Sequence, residues 1–102
     1  MSQHTSPIYT QYVRHALRFY SRHLHIKEFR TEVDRLNWNA CHEAIQGYSG
    51  RDKDILVCVY GERDTLGDNV YKVSTNSGVN QDAIWSMMRE FERKVAIVRK
   101  LI

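Results

Sequence analysis

The chain has 102 residues, 42% of them hydrophobic, with a net charge of +3 and a pI near 9.0. That length fits one domain able to bury about two thirds of its unfolded surface, enough for a core without staples. Two cysteines outside any CxxC exclude a disulfide framework, and the longest apolar run, residues 55–60, is too short to span a membrane.

The start, MSQHTSP, is polar and leads into no apolar signal region, so a cytoplasmic protein is expected, with Cys41 and Cys58 as reduced core thiols. Residues 1–6 are expected to be mobile, as part of a flexible N-terminus over 1–7, and Pro7 suits the first turn of a helix. An N-terminal helical pair follows over 8–48. The first helix, 8–24, carries Tyr9, Val13, Ala16, Tyr20 and Leu24 on one face, widened by Tyr12, Leu17 and Phe19. Gln11, Arg14, Arg18 and Arg22 lie opposite, as a solvated stripe or as a second basic surface for phosphates.

The second helix is expected over 31–46, with Phe29, Val33, Leu36, Ala40 and Ala44 as its core face, Trp38 and Ile45 off centre, and Gly47 as its end. His23, His25 and His42 sit near Cys41, but their spacing matches no common zinc pattern, so no metal or other cofactor is expected.

Ser49–Gly50–Arg51–Asp52 has the form of a capped helix start, with Asp52 and Asp54 at the positive end of the dipole. The run ILVCVY that follows reads as helix, 51–60, on that capping pattern. Its period alone also fits a strand paired with 69–75, which would make the fold α+β rather than all-α. Thr65 caps a helix over 66–76, Gly78 makes a left-handed turn, Asn80 caps the next helix, and 81–100 forms the last one. Ile84, Met88, Phe91, Val95 and Val98 form its core face with Met87 alongside, Trp85 stands at the edge of that face, to be buried against helix one or two or to anchor a partner, and Asp82, Ser86, Arg89, Arg93 and Lys100 lie opposite.

Residues 70–93, VYKVSTNSGVNQDAIWSMMREFER, therefore read as a helix-turn-helix: Val73 and Ser74 before the turn, Gly78 in it, and Val79, Ile84 and Met87 closing the helices on each other. With its flanks, SGRDKDILVCVY, NVYKVSTNSGV and NQDAIWSMMREFERKVAIVRK, this half of the chain, 49–102, resembles the C-terminal promoter-reading domain of bacterial RNA polymerase sigma factors. Residues 1–48 show none of the polymerase-binding pattern of a complete sigma factor.

The resemblance implies a small regulator of transcription of the kind carried by phages and mobile elements. It puts Gln81, Asp82, Trp85, Ser86 and Arg89 at base-reading positions, although an acid and a bulky indole depart from what suits a groove. Chemistry adds Asn80, which with Gln81 could pair with adenine as Arg89 could with guanine, and it assigns Arg93, Arg99 and Lys100 to phosphates.

The expected partner is double-stranded DNA, with a homodimer or a second protein to raise affinity. The alternative is a helical protein-interaction module that binds RNA polymerase or another nucleic-acid machine through Arg14, Arg18 and Arg22. No phosphate loop, nucleophile elbow or HExxH is present, and no enzyme is expected.

The charge is unevenly spread. Residues 1–30 carry a net +4, residues 31–69 a net −4 and residues 70–102 a net +3. Two basic ends flank an acidic middle.

Overall fold

The computed structural model describes residues 7–102; the mobility expected of residues 1–6 lies outside them. Five helices, α1 (Thr10–Arg22), α2 (Glu32–Ile45), α3 (Gly50–Gly61), α4 (Leu66–Ser77) and α5 (Gln81–Val98), make an all-α fold with no strand among the described residues. Pro7 lies before α1 and its carbonyl accepts from Thr10 N at 3.0 Å, a turn that leads into the helix.

Four of the five helices begin with one device. The side chains of Thr31, Ser49, Thr65 and Asn80 each accept from a backbone N–H in the first turn, and an acid follows within that turn. The cap satisfies a donor that the helix leaves unpaired, and the acid faces the positive end of the dipole. This settles the ILVCVY run as helix and excludes the hairpin. Ser49 starts the helix, and Ile55, Leu56, Val59 and Tyr60 are buried because α3 packs on both α1 and α4. A run apolar on nearly every side is what a helix between two neighbours requires.

α1 packs on α2, α3 and α5, and α5 closes the bundle against α1, α2 and α4. Val13, Leu17, Leu56, Val59, Tyr60, Val70, Ile84 and Met88 are fully enclosed at its centre. Each contributes about 1.5–3 kcal/mol of transfer free energy.

Several expectations are corrected. Val33 and Leu36 are exposed although they have the spacing of an apolar face; the side of α2 that meets the bundle carries Asn37, which bonds Tyr12 and Arg99, and the buried Ala40, Cys41, Ala44 and Ile45. Leu24 is exposed because α1 stops at Arg22 and the chain turns, with Ile26 N bonding to His23 O. Tyr12 is exposed as well, at the rim of α1. Cys58 is not a core thiol: it is exposed on α3, while Cys41 is buried.

Candidate nucleic-acid interface

The turn between α4 and α5 is tightly held. Gly78 adopts φ +75°, and its N–H bonds to Ser74 O at 2.9 Å. A left-handed residue there is nearly free of cost only for glycine. The Ser74 hydroxyl donates to Val79 O at 2.6 Å, Ser77 Oγ accepts from Val79 N at 3.2 Å, and Asn80 Oδ1 accepts from Asp82 N at 2.7 Å. Every residue of the connection is thus tied, and the direction in which α5 leaves the turn is fixed by local bonds.

The inner face of α5 is Ile84, Met88, Phe91 and Val95, all buried, with Val98 and Met87 packed at its margins. Asp82, Ser86, Arg89 and Arg93 recur at helical spacing on the opposite side and are all exposed. From Asp82 to Arg93 the edge is about 16 Å long at 1.5 Å per residue. Asn80 and Gln81 are exposed at its start, though the Asn80 carboxamide oxygen is committed to the cap. Arg89 Nη2 donates to Ser86 Oγ at 3.2 Å, a contact that holds the guanidinium along the edge and is easily exchanged for another acceptor.

Two acids modify this surface. Asp82 sits over the first turn, where the dipole favours it. Glu90 accepts from the Tyr48 hydroxyl at 2.9 Å and lies 3.4 Å from Lys94, so that the Tyr48 hydrogen bond and then the Lys94 ammonium hold its carboxyl below the usual range. Its charge is turned toward Lys94 and the α2–α3 connection.

Other residues expected at the interface have partners inside the molecule. Trp85 is half-buried against the core, with the Arg14 guanidinium 5.9 Å from its ring centre. Arg99 Nε donates to Asn37 Oδ1 at 2.7 Å, and Asn37 Nδ2 donates to Tyr12 Oη at 3.1 Å, a bridge across α1, α2 and the end of α5. Lys100 is exposed beyond the helix, with φ +62°.

The arginines of α1 have acceptors within the molecule, while Arg22 stays exposed and Arg14 and Arg18 are half-buried. Arg14 Nε donates to the buried Glu92 at 2.9 Å. Arg18 donates to the carbonyls of Glu62 and Asp64 at 3.2 and 3.1 Å, and Arg22 to those of Gly61 and Glu62, both at 3.1 Å. Asn69 Nδ2 reaches the same region from α4, at 2.8 Å from Val59 O. Unpaired carbonyls and the negative end of the α3 dipole meet two guanidinium groups and an amide. Sequence periodicity showed that the arginines shared a face, but not which helix end lay across from it.

Glu92 and Asn69 were not anticipated. A glutamate in the last helix reads as a surface residue, yet Glu92 is 3% exposed. The available signal was its offset of seven residues from Trp85, on the side of α5 that faces α1. His42 is likewise in use: its Nδ1 lies 3.0 Å from the Tyr20 hydroxyl, and its ring stacks on Trp38 at 4.8 Å. Among the described residues no three His, Cys, Asp or Glu side chains converge as metal ligands, and no helix is long and apolar enough to cross a membrane.

Comparison with protein-family models, with curated proteins and with solved structures finds no match to this chain.

Proposed function

We propose that the chain is a small sigma-like DNA-binding regulator of transcription that reads duplex DNA with the outward edge of α5. The observation that carries this reading is the exposed row Asp82, Ser86, Arg89 and Arg93 on a helix whose exit from the Gly78 turn is fixed by hydrogen bonds. A helix packed in its bundle on one face and free on the other, with Ser86, Arg89 and Arg93 as donors along the free edge, has the chemistry to meet a major groove.

Exposure supports a narrower contact set within this reading. Gln81, Ser86 and Arg89 are available to base edges, while Arg93 and Lys100 are available to phosphates. Trp85 and Arg99 act within the fold. The reading in which Arg14, Arg18 and Arg22 bind a partner is less favoured, since their guanidinium groups already have acceptors.

Fluorescence anisotropy of the full chain with a random duplex at two salt concentrations tests this. Binding that weakens steeply with salt is expected, with the slope of log K against log salt reduced by about one for Arg93→Ala. Absence of binding at low salt overturns the reading.

A further inference from the structure

A second surface lies between α3 and α4, where a groove of about 320 Å³ is lined by Ile55 and Cys58 of α3 and Val73 of α4. No residue of α5 lines it, so it is separate from the edge proposed for DNA. Asp54 and Glu62 stand on its α3 side, one turn before and one turn after Cys58, and neither carboxylate has a partner among the described residues. On the α4 side Lys72 is paired with Asp64, which cancels the one cation of the lining. Asn76 and Ser77 of α4 complete the lining, and the rim carries two carboxylates without an ion-pair partner among the described residues, with Lys72, Arg18 and Arg22 in the neighbourhood of Glu62. The exposed Cys58 thiol opens onto this groove, and partial desolvation, then the nearby Glu62 and Asp54, push it above its ordinary range.

We propose that the α3–α4 groove is a docking site for a basic amphipathic segment of a partner protein, which seats apolar side chains on Ile55, Cys58 and Val73 while its Lys or Arg residues meet Asp54 and Glu62. The volume accommodates two side chains of leucine size, and helix-in-groove recognition of this kind places anchors at i, i+3 or i+4. Charge complementarity sets the sign of the partner: an acidic segment with the same apolar anchors is repelled by the two free carboxylates. The proposal does not rest on DNA binding and survives its failure.

Cys58 supplies the readout, since Cys41 is fully buried and is expected to be protected from the reagent in the folded chain. The test measures thiol labelling of the full chain by an aromatic disulfide, with and without a synthetic helical peptide bearing leucines on one face and lysines beside them. A second peptide replaces those lysines by glutamate. The lysine peptide is expected to slow Cys58 labelling by about tenfold when present at roughly ten times its dissociation constant. The glutamate peptide is expected to leave labelling unchanged, and D54K/E62K, whose two positions are exposed, to lose the protection. No slowing by the lysine peptide, or equal slowing by both peptides, overturns the proposal.

Discussion

The Tyr60 hydroxyl donates to Glu92 Oε2 at 2.6 Å inside the core, and Arg14 Nε donates to the same oxygen at 2.9 Å. One carboxylate oxygen thereby joins α1, α3 and α5. Breaking a fully buried ion pair costs about 3–5 kcal/mol, but Arg14 keeps a quarter of its side chain in solvent, which lowers the expected loss for Glu92→Gln to about 2 kcal/mol. Tyr60→Phe removes a hydrogen bond to a charged group and is expected to cost about 1.5–3 kcal/mol. Urea unfolding of the single and double variants checks both figures, and the cycle should show coupling between the two positions.

Gly78 and Gly67 should respond to alanine in opposite directions. A Cβ at either position meets nothing within 4 Å, so backbone conformation alone decides. Gly78 has φ +75°, and Gly78→Ala is expected to destabilise the chain by about 1–2 kcal/mol. Gly67 lies in the first turn of α4, and Gly67→Ala is expected to stabilise it by about 0.5–1 kcal/mol. Thermal melts followed by circular dichroism report both.

Stability should fall on the alkaline side. Burial raises the Cys41 thiol from 9.0 to about 12, and burial followed by the Glu92 charge holds the Tyr60 phenol well above 10.0. A group with a raised folded pKa contributes stability that is complete below its unfolded pKa and is lost as pH rises toward the folded value. The unfolded chain releases the Cys41 proton first, from pH 9.0 upward, and Tyr60 adds to the loss above pH 10.0. Each group removes roughly 1.4 kcal/mol per pH unit in its window. Urea midpoints measured from pH 8 to pH 11 should decline, and Cys41→Ala should flatten the first part of the decline.

The two sets of arginines should separate stability from binding. Arg18→Ala and Arg22→Ala each remove a guanidinium from carbonyls at the end of α3 and are expected to lower stability by about 0.5–1.5 kcal/mol while leaving DNA affinity nearly unchanged. Arg89→Ala and Arg93→Ala leave the core untouched and are expected to weaken DNA binding severalfold or more with no change in unfolding. Melting curves and anisotropy titrations on the same four proteins check this.

Much of the fold was legible because its signals are local. Ser49, Thr65 and Asn80 cap the helices that their positions suggest, and Gly78 is left-handed where the turn required it. These depend on a few consecutive residues and are little altered by the rest of the chain. What lies opposite a helix face is not local. Val33 and Leu36 have the spacing of core residues but are exposed, the bundle meeting α2 through Asn37, Cys41 and Ile45 instead, whereas Glu92 is buried because Tyr60 and Arg14 arrive from other helices. The candidate interface divides in the same way: the outward row on α5 and the packing of Trp85 at the edge of its core face followed from period, while the inward role of Arg99 depended on α1 and α2.

Contact of the outward edge of α5 with DNA can be read residue by residue in a nitrogen–proton correlation spectrum of the full chain titrated with duplex DNA at low salt. The amides of Gln81, Ser86, Arg89 and Arg93 are expected to shift most, with those of Arg18 and Arg22 unmoved. Shifts centred on α1 or on the α3–α4 groove, or no shifts at all, would contradict the account.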